Sequence, residues 1–236
     1  MRREYPEIKR FQSLSEKEVY TDLHIHSTWT DGTQSLGEIA KSAKKLNLTS
    51  IAITDHVRKT STYCPDYEKE IEKISAETGL RIIAGFEAKV INESGDLDLP
   101  EFCSPEKHLI IGSVHSVNIK GKTVHPRDMA SDEFPDIELE YSISIINGGS
   151  AQILGHAGGM SIANHGGFRI DYFEEIIRAC GKTDVAFEVN SRYHRKYVNE
   201  IWPILERHNP FVCFGSDAHA EPEIGNCVKM VRDLYE

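Results

Sequence analysis

The stretch of chain from Thr21 to Gly32 concentrates residues that can bind a metal ion. His24 and His26 lie in a segment of alternating polar and apolar residues, which is typical of a β-strand. Because residues two apart on a strand point to the same face, the two imidazoles are expected to project together. Imidazole is the commonest metal-binding side chain, and Asp31 offers a carboxylate at the following turn. The stretch therefore predicts one part of a metal site.

Further potential ligands follow the ends of other predicted strands. Apolar runs between helical patterns predict seven strands, at 19–26, 50–54, 81–86, 109–114, 151–155, 185–190 and 211–215. This alternation favours a parallel sheet covered by helices, in which the carboxyl ends of the strands share one edge. The polar residues at or just past these ends are Asp31, His56, Glu87, His115, His156, Asp217 and His219. We expect them to meet at this edge.

Composition and charge narrow the class of protein. The 236 residues are enough for one large domain, and the net charge of -10 disfavours unspecific attraction to nucleic acid. Five scattered cysteines without a Cys-x-x-Cys pair predict reduced thiols and a cytoplasmic protein. The sequence shows neither a signal peptide nor an apolar run of membrane-spanning length. We expect an N-terminal extension over residues 1–18 and a single domain over residues 19–236.

Jointly, these motifs resemble those of the PHP family, named for polymerase and histidinol phosphatase. They are Asp22-x-His24-x-His26-Ser27-x-x-Thr30-Asp31-Gly32, Thr54-Asp55-His56, Gly85-Phe86-Glu87, Ser113-Val114-His115, Leu154-Gly155-His156 and Gly215-Ser216-Asp217-Ala218-His219. The resemblance spans about residues 20–227 and implies an α/β fold, a distorted (β/α)7 barrel of the PHP type. Two departures are visible, some twenty residues before the first motif and Ala157 where proline is frequent, and neither removes a ligand.

The resemblance also implies the ligands of two to three divalent metal ions. The implied sets are His24, His26, Glu87 and Asp217 for a first ion, Glu87, His115 and His156 for a second, and Asp31, His56 and His219 for a third. Glu87 would bridge the first two ions. Mixed imidazole and carboxylate ligands suit zinc, manganese or iron better than calcium. Asp22 precedes the ligands and is expected to orient a histidine.

Such clusters in the family cleave phosphate esters, so the implied function is a metal-dependent phosphoesterase acting on a small phosphorylated substrate. Metal ions neutralise the anionic ester and supply hydroxide near neutral pH. Glu87 and Asp217 are the candidate catalytic residues on the metal side. Arg58 and Arg192 are the better candidates for holding phosphate, because guanidinium matches phosphate bidentately and both follow strand ends. The weaker candidates for phosphate are Arg127 and Arg195, and His194 is a weak candidate for protonating a leaving group.

Three other functions are alternatives to a phosphoesterase acting on a small substrate. An exonuclease-like phosphodiesterase acting on DNA ends is favoured by the cluster Arg192-x-His194-Arg195-Lys196 and disfavoured by the net charge of -10. A metal-dependent amidohydrolase also begins with His-x-His, but those enzymes resemble an eight-stranded barrel with a single late aspartate. The motif Asp217-Ala218-His219 and the seven predicted strands favour PHP.

A non-catalytic metal-binding domain is disfavoured by nine intact candidate ligands. The sequence leaves the oligomeric state open.

Overall fold

Strands and helices alternate along most of the chain. The computed structural model describes residues 4–235. The strands are β1 (Lys9–Arg10), β2 (Thr21–Ile25), β3 (Ser50–Ile53), β4 (His56–Val57), β5 (Arg81–Lys89), β6 (Leu109–Ser113), β7 (Val117–Ile119), β8 (Lys122–Val124), β9 (Ile153–Leu154), β10 (Ala186–Asn190) and β11 (Phe211–Gly215). The helices are α1 (Glu16–Val19), α2 (Leu36–Lys45), α3 (Cys64–Thr78), α4 (Phe134–Gly148), α5 (Gly159–His165), α6 (Ile170–Gly181), α7 (Val198–His208) and α8 (Asn226–Tyr235).

Seven parallel strands close into a barrel. Strands β2, β3, β5, β6, β9, β10 and β11 lie side by side in chain order. The first and last of them meet through a parallel bridge between Ile25 and Ala218. Here the backbone N–H of His26 donates to the carbonyl of Ala218 (2.9 Å), and the N–H of Asp217 donates to the carbonyl of His24 (2.8 Å). The predicted (β/α)7 barrel is confirmed, and its closing hydrogen bonds involve residues of the first and last motifs.

The helices cover the outside of the barrel. The sequence Ser35-Leu36-Gly37-Glu38 predicts a capping box, and in the structure Ser35 and Glu38 form it at the start of α2. Helix α3 ends at Gly79, which has a φ of 67°. Outward-facing strand residues such as Phe187 and Phe214 belong to the large apolar core beneath the helices. Within residues 4–235, no helix combines the length and the apolarity needed to cross a membrane.

Several short elements differ from the sequence prediction. β4, the β7–β8 hairpin and α5 all lie in loops that follow barrel strands, and the sequence does not predict them. The acidic loop over residues 92–99 indicates a small hairpin from the sequence, but the structure has only one antiparallel bridge there, between Val90 and Leu97. The sequence Asp171-Tyr172-Phe173-Glu174 predicts a helix cap at Asp171, but α6 begins one residue earlier, and Arg169 precedes it. Such short pieces carry no periodic pattern, because contacts with the barrel stabilise them rather than an apolar face of their own.

The inside of the barrel is apolar at one end and polar at the other. A small apolar cluster fills the amino end and consists of Tyr5, Leu23, Ala52, Ile83, Leu109, Ile111, Ile153, Ala186 and Cys213. Residues two or four positions further along the same strands face the same way. These positions are occupied by Gly85, Glu87, Gly155, Glu188 and Gly215. Small and acidic residues therefore replace apolar ones toward the carboxyl ends of the strands.

The chain before β2 packs against the amino end of the barrel. β1 pairs antiparallel with β11, where Lys9 lies opposite Val212. The ring of Tyr5 lies in the inner apolar cluster, and the buried carboxylate of Glu7 pairs with the guanidinium of Arg81. From residue 4 onward, the predicted extension is therefore packed on the barrel. Residues 1–3 lie outside the described part, and the domain boundary near residue 18 stays a prediction.

Truncation of Tyr5 tests whether this segment stabilises the barrel. Tyr5 is 5% exposed, so Tyr5→Ala should lower the free energy of unfolding by about 3 kcal/mol, the usual cost of removing a buried aromatic ring. Chemical denaturation measures the change. Phe102→Ala is the control, because Phe102 is 38% exposed and its truncation should leave stability nearly unchanged. Equal effects of the two variants would contradict a stabilising role of the segment.

Candidate metal centre

Glu87 lies at the centre of the cluster. It extends inward from β5 and is 1% exposed. The neighbouring strand β4 places His56 directly opposite it in register. Five imidazoles face the carboxylate. Its Oε1 atom lies 2.9 Å from Nε2 of His156, 3.3 Å from Nε2 of His115 and 3.6 Å from Nε2 of His24, and its Oε2 atom lies 3.0 Å from Nδ1 of His56 and 3.5 Å from Nε2 of His26.

Asp217 faces the two histidines of the first motif. The Nε2 atoms of His24 and His26 are 3.2 Å apart. The Oδ1 atom of Asp217 lies 3.2 Å from Nε2 of His26 and 3.7 Å from Nε2 of His24. These two histidines and Glu87 present ligand atoms that all lie within 4.8 Å of one another. Glu87, His56 and His115 form a second such group.

Asp31 lies at the centre of a third group of potential ligands, on the exposed side of the site. Its Oδ2 atom lies 3.3 Å from Nε2 of His56 and 3.4 Å from Nε2 of His219. Its Oδ1 atom lies 3.6 Å from Nδ1 of His26. The Asp31 side chain is 52% exposed, whereas that of His26 is fully buried. This group marks the side from which a substrate can reach the site.

A bulge in β2 directs the first-motif histidines. Between Asp22 and Ile25 the register with β3 shifts, since three steps along β2 match two along β3. Leu23 joins the inner apolar cluster while both histidines still face Glu87. Simple alternation thus predicts that His24 and His26 meet, but not that Leu23 turns inward beside them.

Two of these residues hold left-handed backbone conformations. His156 has a φ of 28° and Asp217 a φ of 54°. Non-glycine residues adopt such angles only where the surroundings compensate a cost of about 1–3 kcal/mol. Each lies just past the end of a barrel strand, and the side chain of His156 faces Glu87 while that of Asp217 faces His26. Backbone strain at two potential ligands is typical of a functional site.

The electrostatics of the site favour cations. Burial raises the pKa of Glu87, but the imidazoles of His115 and His24 outweigh this effect and hold it well below its usual range. Burial lowers the pKa of His56, while Asp31 and Glu87 raise it to a net value of about 10. The carboxylates therefore stay ionised and need positive charge nearby, which protonated imidazoles or bound cations can provide.

The donor set fits transition-metal ions. Three groups of imidazole and carboxylate atoms converge, and neighbouring groups share Glu87, His26 or His56. Among the residues that the structure describes, the buried Nδ1 atom of His26 has no hydrogen-bond partner. Burying a ring nitrogen without a hydrogen-bond partner costs free energy of folding. This nitrogen of His26 faces the carboxylate of Asp31. Nitrogen and oxygen donors in this mixture suit zinc, manganese or iron.

Two buried aspartates hold the loops that carry the potential ligands. Asp22 accepts hydrogen bonds from the N–H (2.9 Å) and hydroxyl (2.6 Å) of Ser216 and from the N–H of Gly225 (2.8 Å). Asp55 accepts hydrogen bonds from the N–H (3.0 Å) and hydroxyl (2.7 Å) of Ser27. Asp22 was expected to orient a histidine. The structure shows that it secures the backbone next to Asp217 and that it also accepts a hydrogen bond from the backbone N–H of His24 (3.4 Å), not from its imidazole.

Glu188 is a buried carboxylate that the sequence analysis does not single out. It lies on β10, and its Oε1 atom is 2.8 Å from Nδ1 of His24. Its Oε2 atom accepts a hydrogen bond from the backbone N–H of His156 at 2.6 Å. The available indication in the sequence is an acidic residue between Phe187 and Val189 in a buried strand. Alternation places it inside the barrel, where an unpaired charge would be very costly.

The candidate phosphate-binding arginines differ in position. Arg192 lies at the site, because its Nη1 atom donates to the carbonyl of Asp217 at 2.6 Å. Its guanidinium is 36% exposed and also lies 3.4 Å from Glu223. Arg58, Arg127 and Arg195 have exposed side chains. Arg192 is thus a candidate that the structure places in contact with two of the nine residues, Asp217 and His219.

His194 is a structural residue rather than an acid facing the substrate. It is fully buried, its Nε2 donates to the carbonyl of Ala157 (2.9 Å), and its Nδ1 accepts from the N–H of Asn190 (3.1 Å). Both ring nitrogens are therefore occupied. Burial lowers its pKa to about 4. His194 therefore neither lies at the surface nor is available to protonate a leaving group, so its candidacy as that acid is wrong.

Comparison with known proteins identifies the family. The sequence model of the PHP domain matches residues 22–192, most of the chain. This chain belongs to the PHP family. A Vibrio cholerae protein named "probable phosphatase" is 31% identical over 219 residues, which cover 86% of this chain and 79% of that protein. The DNA polymerase/3'-5' exonuclease PolX of Bacillus subtilis is 27% identical over 74% of this chain, which spans only 29% of PolX.

A solved structure supports the PHP barrel fold. A Listeria monocytogenes protein, provisionally named a histidinol phosphatase, superposes with a TM-score of 0.67 at 17% identity. The match covers 87% of this chain and 97% of that protein. The nine residues that the PHP motifs single out meet at the carboxyl end of this barrel. The chain is a metal-dependent phosphoric ester hydrolase of the PHP type.

Glu87→Gln tests the central carboxylate. Glutamine keeps the volume but removes the charge and one acceptor oxygen, so the variant should fold, lose at least one metal ion and lose nearly all phosphoesterase activity. Elemental analysis and hydrolysis rates measure both effects. Glu72→Gln, the same change at an exposed position on α3, should match the parent. Full metal content and a parental rate in Glu87→Gln would leave Glu87 without a role as a ligand.

The pKa of His194 predicts a pH dependence of stability. The folded state holds the pKa of His194 at about 4, below the ordinary value of 6.5, so the unfolded state binds the proton more readily. Stability should therefore fall as pH decreases from 6.5 through 4. In His194→Gln this component is absent, and the free energy of unfolding should decline less steeply over that range at equal metal loading. Parallel pH profiles of parent and variant would contradict the assignment.

Proposed function

We propose that this protein hydrolyses small phosphomonoesters at a centre of two to three divalent metal ions. The observation that carries the proposal is the position of Glu87, whose two carboxylate oxygens face five imidazoles from four different segments of the barrel rim. A carboxylate so placed can bridge two cations. When bound, zinc, manganese or iron ions would neutralise the ester oxygens and make hydroxide available near neutral pH.

The nine residues are proposed as metal ligands in overlapping groups. Glu87 is shared by the buried groups, which include His24, His26, His115 and His156 with Asp217 alongside. Asp31, His56 and His219 form the exposed group. His56 and His26 each lie within two of the groups, so the metals would be close neighbours. Close cations need shared anionic ligands to limit their repulsion, which Glu87 can supply.

Arg192 is proposed to hold the phosphate. Its guanidinium lies beside Asp217 and His219 at the open side of the site. Partial exposure leaves N–H donors available to an incoming anion. Guanidinium matches phosphate oxygens bidentately, which orients the ester toward the metals. Arg58 follows β4 with an exposed side chain and is the second candidate for this contact.

A small substrate is supported by the extent of the similarity. The Vibrio cholerae "probable phosphatase" aligns over 86% of this chain and 79% of its own length, so the likeness spans almost a whole protein with that name. The net charge of -10 also disfavours a polyanionic partner. The amidohydrolase alternative is not retained, because the barrel has seven strands and the chain belongs to the PHP family.

A 3'-5' exonuclease acting on DNA ends is the second candidate. It is favoured by the similarity to the bacterial PolX, which covers 74% of this chain. The exposed residues Arg195 and Lys196 lie near Arg192 in the sequence and could contact a nucleic-acid backbone. A phosphodiester substrate would still need the same metals, so the two candidates differ in substrate and not in the centre.

The deciding experiment measures hydrolysis and metal content together. Protein reconstituted separately with zinc, manganese and iron should bind two to three ions per chain and release phosphate from a phosphomonoester panel. A chelator should abolish turnover, and the metal should restore it. Release of nucleotides from a single-stranded oligonucleotide, without phosphomonoester turnover, would favour the exonuclease. At most one ion per metal-replete chain would contradict the multinuclear centre.

Arg192→Ala tests the phosphate contact. The variant should lower kcat/KM for a phosphomonoester by about 10- to 100-fold while retaining its metal, because a charge-assisted contact of about 1.5–3 kcal/mol is lost. Arg192→Lys should restore only part of the loss, since lysine lacks the planar fork. Arg207→Ala, which breaks a surface pair with Glu174 on the outside of the barrel, should have no effect. If Arg192→Ala has the parental kcat/KM, Arg192 does not bind the phosphate, and Arg58 becomes the candidate for that contact.

A further inference from the structure

We propose that Glu188 is a positioning residue that fixes the tautomer of His24 and the backbone of His156 for metal binding. The inference deepens the proposed function, because it concerns the same centre. It rests on the contacts of one carboxylate with two potential ligands. His24 comes from the first barrel strand, and His156 follows the fifth.

The first contact sets the proton on His24. Glu188 Oε1 lies 2.8 Å from Nδ1 of His24, and both side chains are almost completely buried. An ionised carboxylate only accepts hydrogen bonds, so Nδ1 must carry the proton. The lone pair then lies on Nε2, which points toward His26 (3.2 Å), Glu87 (3.6 Å) and Asp217 (3.7 Å). Only this tautomer of a neutral imidazole can give Nε2 to a metal in the site.

The second contact holds the turn that carries His156. The backbone N–H of His156 donates to Glu188 Oε2 at 2.6 Å. His156 has a left-handed φ of 28°, and its Nε2 lies 2.9 Å from Glu87. A strained conformation persists only where its surroundings fix it. Glu188 therefore supports the orientation of the imidazole that faces Glu87.

Gly215 provides the space that this arrangement needs. A β-carbon at position 215 would overlap Oε1 of Glu188 and lie 2.8 Å from the β-carbon of His24. The glycine thus lets the carboxylate of Glu188 cross the inner face of β11 to reach His24 on β2. The glycine-serine-aspartate turn of the last motif serves this contact as well as the placement of Asp217.

Glutamine cannot replace Glu188, although it has the same shape. Both partners of the carboxylate are N–H donors, whereas a glutamine amide offers one acceptor oxygen and one donor nitrogen. If its oxygen faces His24, its NH2 group opposes the N–H of His156. If its oxygen faces His156, its NH2 group donates to Nδ1 of His24 and moves the imidazole proton to Nε2. The second arrangement satisfies every donor, but it removes the Nε2 lone pair from the metal site.

The experiment compares Glu188→Gln with Glu138→Gln in the full-length protein. Glu138 is equally buried, at 1% exposure, and accepts hydrogen bonds from Met160 and Ser161 rather than from an imidazole. Two readouts are independent of turnover. One is zinc affinity, by competition with a chromogenic chelator, and the other is the tautomer of His24, by long-range 1H–15N correlation of the imidazoles at an alkaline pH at which the ring is neutral, because burial lowers the pKa of His24 but Glu188 and Glu87 outweigh this effect and raise it. Thermal unfolding reports folding of each variant.

Glu188→Gln should bind zinc about 10- to 100-fold more weakly and should show His24 protonated at Nε2 in the zinc-free protein. Glu138→Gln should lose stability but keep the parental zinc affinity and the Nδ1–H tautomer. Gly215→Ala, with Glu188 intact, should reproduce the zinc loss by displacing the carboxylate. A folded Glu188→Gln with parental zinc affinity and an unchanged tautomer would overturn the inference. A parent that binds zinc but hydrolyses no phosphomonoester would refute the proposed function and leave this inference standing.

Discussion

The carboxylate of Glu87 is a charge buried inside the barrel mouth, and the surrounding structure is arranged to compensate it. A buried unpaired carboxylate would be very unfavourable, so its environment must supply donors or positive charge. Five imidazoles meet this requirement, and they come from β2, from β4 and from the turns after β6 and β9. Each of these segments is held in place by the closure of the barrel. The geometry of the centre therefore depends on the parallel strands ending at one level around Glu87.

Other buried carboxylates carry out a different task, which is to fix irregular backbone. Asp22 binds the N–H groups of Ser216 and Gly225, and Asp55 binds that of Ser27. Glu138 receives the first N–H groups of α5, directly after the His156 turn. Loop N–H groups near a barrel mouth have no strand partner and need acceptors. Acidic side chains supply these acceptors, so much of the buried negative charge of this protein serves the loops that present the potential ligands.

The two ends of the barrel have different compositions: the amino end holds an apolar layer, and the carboxyl end holds the potential metal ligands. The amino end is filled by aliphatic side chains and by Tyr5, which the N-terminal segment contributes. The carboxyl end has glycines and acidic residues at the corresponding inward positions. Glycine at 215 leaves room for the carboxylate of Glu188. A polar centre is tolerated inside the barrel because the apolar layer beneath it is complete.

Much of the site follows from the sequence alone. His24, His56, Glu87 and Asp217 lie at strand ends that hydrophobic patterns locate, and parallel strands necessarily bring such ends together. The seven-stranded barrel and the family follow from the same motifs. The sequence does not reveal the bulge in β2, the short rim elements or the packing of the N-terminal segment, since none of these has a periodic pattern.

The supporting contacts were decided only by the tertiary structure. Glu188 reaches His24 across 164 positions of sequence, and Asp22 reaches Ser216 across 194. Local patterns report the period and polarity of a segment, so they identify residues at strand ends. They carry no information about which distant carboxylate accepts a given N–H, because that depends on tenths of an ångström in the closed barrel. The sequence therefore predicts the potential ligands. The carboxylates that orient them can be identified only in the folded structure, in which β2, β10 and β11 lie together.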